Sequence, residues 1–367
     1  MVRRSVAWAL VLLTVAGTAA SATARRETTA ADTLRPALSA VVAAGSPGAL
    51  VLVDDGASRA RAAVGLAALR GRVRLRAGDR FRAGSITKSF VAVVVLQLVR
   101  EGRLGLDDRL ERRLPGLVPN GGHITIGQLL AHTSGLADYT ADELFLRRTA
   151  SEPGRRWTAR ELVAHAVRMG PTGSPGERFA YASTNYVLLG LVVESVTGTT
   201  VGEQLRRRIF TPLGLRDTSF VPGALIPGRH VHGYAPSAHD GIVGSLATAR
   251  DRSGASASWA WAAGAVVSSA RDLSRFLGAL LGGRLLPPGL LGSMRPGLGA
   301  RYGLGLAAFQ TPCGTAVGHT GNVLGTVSAA WSTRNGSRRV VAMTNSYPLS
   351  PAADTAFRRL LETAFCG

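Results

Sequence analysis

Lysine is almost absent from this chain: of 43 basic side chains one is a lysine, Lys88, and every other is an arginine. Cysteine is nearly as scarce, with only Cys313 and Cys366, too few without a neighbouring His or Cys cluster to hold a structural metal. Beyond the first residues no apolar run reaches the roughly 18 residues a membrane helix needs. Basic runs are missing as well. The formal charge is +20, yet the arginines are scattered singly and in pairs, and the longest run is Arg206 to Arg208. That dispersal argues against a nucleic-acid groove, which needs its cations gathered on one face. Glycine and proline are raised, at 45 and 17 residues, but lie in short turn clusters without a period, so collagen-like and disordered chains are excluded too. What remains is a globular protein of 367 residues, 46% hydrophobic, long enough for two packed units.

The one lysine is informative because arginine cannot give up its proton inside a protein, whereas a buried ammonium can be driven toward neutrality. A position that keeps Lys in an arginine-rich chain is a candidate for a neutral amine.

At the start of the chain Arg3 and Arg4 precede an apolar run from Val6 to Ala20, and Ala22-Thr23-Ala24 supplies a small-x-small cleavage pattern. Residues 1–24 are therefore expected to be a secretory leader, and the mature chain to be a secreted monomer without a membrane anchor. An oxidising destination lets Cys313 and Cys366 pair. In the chain-entropy model a loop of that length is worth about 4 kcal/mol.

Along the mature chain, 33–44 reads as a helix and 49–54 and 62–69 as strands. Helical patterns then dominate from Gly105 to about Gly254, at 126–131, 158–169, 184–197 and 201–210. Strand signals return at 302–309, 323–331 and 339–344, with an Asn335-Gly336 turn before the last, and 352–365 reads as a closing helix. The expected fold is α+β: an antiparallel sheet flanked by helices, built from residues 25–104 with 255–367, plus an inserted, mainly helical domain over 105–254.

Ser85-Ile86-Thr87-Lys88 stands where a loop feeds an apolar helix. Three residues apart on a helix, Ser85 and Lys88 share a face, so a neutral Lys88 amine can take the serine proton. The unpaired backbone N–H groups of the helix start, that of Ser85 included, can hold an oxyanion. Alone, Ser-x-x-Lys is weak, since a cap with an exposed cation has the same pattern.

Two further motifs follow in order, Tyr181-Ala182-Ser183 and His319-Thr320-Gly321. Together the three resemble those of the penicillin-recognising serine hydrolases, in particular the secreted D-alanyl-D-alanine carboxypeptidase group, which is similar in fold to class C beta-lactamases. The likeness extends through 81–106, 130–136, 179–190, 259–273 and 302–306. It implies a beta-lactamase/transpeptidase-like fold and an acyl-enzyme on Ser85 with Lys88 as base. Tyr181 is implied as proton donor to the leaving group, acting as phenolate only if two cations lowered its pKa. It also implies Ser183, Trp259, His319, Thr320, Gly321 and Asn322 around the substrate. In this reading Gly321 lets the backbone approach the substrate, the Asn322 N–H is a second oxyanion donor, and His319 supplies a cation near Tyr181. No cofactor and no metal are implied. The partner is a small peptide or beta-lactam-like substrate.

Two positions depart from that pattern. The middle motif ends in Ser183 where relatives carry Asn, and the arginine that holds a substrate carboxylate is replaced by Ala307 and Ala308. Carboxylate recognition is therefore expected to be weakened or relocated, Arg301 being the nearest cation in sequence. Esterase, D-aminopeptidase or beta-lactamase-like chemistry suits the same motifs. A different class of protein, a non-catalytic binder of anionic cell-wall polymers, has no need of a titratable Lys88. His132 is expected to order its own turn, and His230, His232 and His239 form no ligand pattern. Asp54-Asp55 and Asp107-Asp108 are expected on the solvated surface.

Overall fold

A computed structural model describes residues 32–235 and 249–367. The expected leader and His239 lie outside these residues.

Seven antiparallel strands form the central sheet. Their runs are β1 Gly48–Asp54, β2 Arg59–Ala68, β3 Val73–Arg74, β4 Ala307–Thr311, β5 Gly314–Val323, β6 Thr326–Ser332 and β7 Arg339–Thr344, in the spatial order β3-β2-β1-β7-β6-β5-β4. The first and last thirds of the sequence thus meet at β1 and β7, where Leu52 stands opposite Val341. These two strands are buried on both faces, which explains their near-continuous aliphatic sequence. Leu50, Leu52, Val341 and Met343 point into the larger core. Ala49, Val51, Val53, Val340 and Ala342 point the other way, under helix α1 (32–43) and the closing helix, which supplies Phe357, Leu360 and Phe365.

Helix α2, Ile86–Arg100, runs through the larger core with every residue from Ile86 to Leu98 buried. A helix apolar on all sides is one that other elements surround completely. Here helix α3, Ser183–Thr197, and helix α4, Ala270–Leu281, help enclose it, and one continuous core joins the sheet to the helical region. Cys313, in the turn between β4 and β5, is disulfide-bonded to Cys366 at the end of the closing helix.

The late strands differ from the sequence expectation. The predicted strand 302–309 begins only at Ala307, and Tyr302 merely bridges to Ala307 across a tight turn. The predicted strand 323–331 is interrupted at Leu324-Gly325, both at positive φ, so β5 ends where it was expected to begin. β5 reads poorly as a strand because its Gly, Thr, His and Asn residues carry little apolar alternation. It is not the edge strand of the sheet, since β4 lies outside it. However, β4 pairing stops at Gly318 opposite Ala307, so from His319 onward the rim of β5 is open.

Asp54 corrects another expectation: it is only 2% exposed and is no surface acid. Its carboxylate accepts from the Gly56 N–H (2.9 Å), Arg59 Nη2 (2.8 Å) and Ser274 Oγ (2.9 Å), and is bridged by Arg339. Burial pushes its pKa up, but these donors and cations outweigh burial and hold it below the ordinary carboxylate value. The neighbouring Asp55 remains near the surface with Arg338. Since Asp54 has a lower pKa folded than unfolded, its stabilisation is complete above roughly pH 4 and is lost as pH falls through the folded-state value. Asp54→Asn is expected to cost about 3–5 kcal/mol in urea denaturation at pH 7, because it leaves two arginines without their counter-charge. The loss should shrink below pH 4, where the wild-type carboxylate protonates as well.

Candidate active site

The turn Ala83-Gly84-Ser85 enters α2 between two strands. The Ala83 N–H donates to the Val266 carbonyl at 2.8 Å, and the Val266 N–H donates to Thr87 Oγ1 at 3.0 Å, so the strand Val266–Ser268 grips the turn on both sides of Ser85. On the other side the turn touches β5 backbone to backbone. Gly84 has φ +54, and a Cβ there would lie 2.7 Å from the Asn322 nitrogen. A Cβ on Gly321 would meet the Ala83 carbonyl oxygen at 2.0 Å. Gly321 was expected to admit the substrate backbone; in the structure its missing side chain makes room for the nucleophile turn.

Ser85 opens α2 without capping it, which leaves its hydroxyl free for other partners. Lys88 Nζ stands 2.9 Å from Ser85 Oγ and 3.0 Å from the Ala263 carbonyl oxygen. The Lys88 side chain is completely buried among the aliphatic residues of α2 and beside the rings of Tyr181 and Tyr186. Burial lowers its pKa to about 7, only partly opposed by the charge of Asp138. Near neutral pH a large fraction of Lys88 is therefore a free amine at hydrogen-bond distance from a serine hydroxyl. The backbone N–H of Ser85 has no acceptor among the described residues.

Tyr181 completes the cluster. Tyr181 is 38% exposed, while its hydroxyl end is enclosed and near enough to Ser85 for that side chain to favour the ionised phenol slightly. Burial raises the phenol above its usual range, so Tyr181 stays protonated and is a donor rather than a standing phenolate. His319 is likewise not the cation expected. Burial, with the nearby charge of Lys88, lowers its pKa to about 3. Its Nδ1 donates to the Thr320 carbonyl (2.5 Å), which leaves Nε2 to accept from the Tyr302 hydroxyl (3.0 Å). The physical reason is enclosure: three tyrosines, another histidine and Lys88 surround this end of the cleft, and none supplies an anion.

A cavity of about 340 Å³ opens on Ser85, lined also by Phe179, Tyr181, Arg301, Tyr302, Ala307 and the stretch His319-Thr320-Gly321-Asn322. Seven of the nine residues expected at the site are thus brought together when Lys88, beneath Ser85, is included. Trp259 and Ser183 do not line the cavity. Trp259 packs against the core and offers its carbonyl to Tyr139 (2.7 Å), while Ser183 is buried at the start of α3. The aromatic wall comes instead from Phe179, 46% exposed, and Tyr302, neither of which the sequence marked as a site residue. Phe179 lies two residues before Tyr181, where strand-like alternation sends both side chains to one face. That was the available signal. Arg301 was in doubt from the sequence and is found in the lining.

His232 pairs with Asp251 (2.7 Å), and among the described residues no three His, Cys, Asp or Glu side chains gather as metal ligands.

A serine at the start of a buried helix, a desolvated lysine on its next turn and a protonated tyrosine above both define a serine hydrolase site on an α+β scaffold. The chain belongs to the Beta-lactamase family, whose profile matches residues 31–365. Among solved structures it is similar to a D-stereospecific amidohydrolase from Streptomyces sp., with 37% identity, TM-score 0.80 and coverage of 92% of this chain and 99% of that one. It is also similar to the D-amino acid amidase from Ochrobactrum anthropi SV3, at 28% identity, TM-score 0.79 and coverage of 91% and 98%. Penicillin-binding protein 4 of Amycolatopsis lactamdurans is 38% identical over 147 residues, 39% of this chain and 36% of that protein. The match thus spans about a third of that curated relative.

The geometry predicts that acylation rises with pH through about 7, as the Lys88 amine loses its proton, and then levels. Lys88→Arg keeps the charge but cannot accept a proton, so it is expected to reduce acylation at least 100-fold with the circular dichroism spectrum unchanged. Stopped-flow acylation across pH 5–9 checks both, and a pH-independent rate refutes Lys88 as the base.

Proposed function

We propose that this protein is a D-stereospecific serine hydrolase that cleaves a peptide or amide bond beside a D-residue through an acyl-enzyme on Ser85, acting as a monomer outside the cytoplasm. The observation that carries the chemistry is the 2.9 Å contact between Ser85 Oγ and the fully buried Lys88 Nζ. The stereochemical class is supported by the likeness to the D-stereospecific amidohydrolase and the D-amino acid amidase over nine-tenths of the chain.

In this mechanism Ser85 Oγ attacks the substrate carbonyl carbon and its proton passes to Lys88. The oxyanion is held by the N–H groups of Ser85 and Asn322. Tyr181 gives its phenolic proton to the leaving nitrogen as the C–N bond breaks, and the Lys88 ammonium restores that proton. A phenol whose pKa is raised by burial does not persist as phenolate, which favours immediate return. Water then attacks the ester and Ser85 is released by the reverse transfers.

D-Alanyl-D-alanine carboxypeptidase activity is the finer version of this function, and Arg301 favours it. The Ala308 N–H donates to the Arg301 carbonyl at 2.9 Å, so Arg301 stands directly across the hairpin from the alanine pair that replaces the usual carboxylate-binding arginine. It lines the cavity, and no acid lines the cavity to oppose it. The carboxylate site is, in this reading, relocated rather than lost.

Intact-mass measurement after brief exposure to a penicillin, beside Ser85→Ala, tests the nucleophile. An adduct absent from the variant is expected, and no acylation by penicillin or by any D-aminoacyl ester would overturn the proposal. For the substrate, a D-alanyl-D-alanine peptide should be cleaved about 10–100-fold more efficiently than its C-terminal amide, the range of a charge-assisted hydrogen bond, and Arg301→Gln should abolish that preference. Equal cleavage of acid and amide by the wild type leaves the amidase reading in first place.

A further inference from the structure

Tyr181 is held by one residue from three directions, and that residue is His132. The Ala180 N–H, before the tyrosine, donates to the His132 carbonyl at 2.8 Å. The Ala182 N–H, after it, donates to His132 Nδ1 at 3.2 Å. Between these two bonds the Tyr181 ring lies over the imidazole, with centroids 4.3 Å apart and planes tilted by 32°. His132 reaches all three points because its own backbone is left-handed, with φ +57, immediately before the Thr133-Ser134-Gly135 turn. The same Nδ1 accepts from Asn185 Nδ2 (3.1 Å), and Asn185 is fixed in turn by Ser134 Oγ (2.6 Å).

The imidazole is wholly buried, and its Nε2 has no hydrogen-bond partner. Since Nδ1 accepts two bonds, Nε2 carries the ring proton. An unpartnered buried N–H is costly, so what the ring supplies is its Nδ1 lone pair and its flat face. Tyr181, Tyr186 and Tyr302 pack on the ring, Phe179 meets it edge-on, and Lys88 and His319 are the nearby groups whose charge would oppose a second proton. Burial acts in the same direction and keeps the imidazole neutral.

We propose that His132 is a positioning residue for the leaving-group step: through its carbonyl, its Nδ1 and its ring face it fixes where the Tyr181 hydroxyl delivers its proton. This goes beyond the expectation that His132 orders only its own turn, and it rests on the proposed role of Tyr181 as proton donor. Proton delivery matters most for a poor leaving group such as an amine and little for an activated phenolate, which departs unaided. A positioning fault at Tyr181 must therefore separate amides from activated esters, whereas a general distortion of the site slows both alike.

The test compares hydrolysis of a D-alanyl amide with acylation by the p-nitrophenyl ester of the same acyl group. His132→Phe keeps the flat ring without the acceptor, and His132→Gln keeps an acceptor without the ring. For each, the amide-to-ester ratio of kcat/KM is expected to fall at least 10-fold, as it does for Tyr181→Phe, and His132→Phe should add less than 3-fold to the loss already present in Tyr181→Phe. Equal losses on amide and ester, or fully additive losses in the double variant, overturn the proposal. If His132→Phe does not fold, the same ratio in His132→Gln decides it. Failure of the wild type to be acylated by the ester sinks the serine-hydrolase reading instead, so the two failures are distinct.

Discussion

The desolvation of one ammonium group organises this protein. Lys88 lies inside a helix that is apolar on every side, and its surroundings supply a carbonyl, a hydroxyl and aromatic faces but no carboxylate in contact. A charged amine is disfavoured there, so the lysine spends much of its time neutral near pH 7. Much of the fold contributes to that condition. The sheet covers one side of α2, α3 and α4 help enclose it, and the core continues without a break into the helical region.

The same burial sets the roles of the neighbouring groups. It raises Tyr181 and lowers His319 and His132, so the cleft holds protonated phenols, neutral imidazoles and one titrating amine. A single proton can then pass among Ser85, Lys88 and Tyr181 without a competing acid or base nearby. Arg301 is the one arginine that lines the cavity.

Precision comes from backbone contacts more than from side chains. Gly84 and Gly321 let the nucleophile turn and β5 touch backbone to backbone, with no room for a Cβ at either position, and Ser328 Oγ links the two by donating to the Ala83 carbonyl (3.0 Å) beside the Gly321 carbonyl (3.4 Å). The Val266 strand fixes the opposite side of that turn, and His132 fixes Tyr181 above it. Each element of the cluster is thus anchored to a different part of the chain.

The sequence by itself determined the chemistry and most of the helices and core strands. A lone lysine among arginines, three residues after a serine at a helix start, marks a candidate neutral amine that the two later motifs strengthen, and aliphatic runs such as Leu50 to Val53 report burial directly. The rest depended on neighbours that are distant along the chain. Asp54 looks like a turn acid until Arg59, Ser274 and Arg339 converge on it. β5 has weak strand patterning because its residues serve the nucleophile turn as well as the ladder. Trp259, expected at the site, packs in the core while the unmarked Phe179 lines the cavity, since an aromatic ring fills a core or a cleft equally well and only packing decides which. The charge states of His319 and Tyr181, the place of Arg301 in the cavity lining and the contacts of His132 with the Tyr181 segment were decided by tertiary structure alone. Desolvation and hydrogen-bond geometry depend on what surrounds a group in space, whereas a linear sequence records only what adjoins it along the chain.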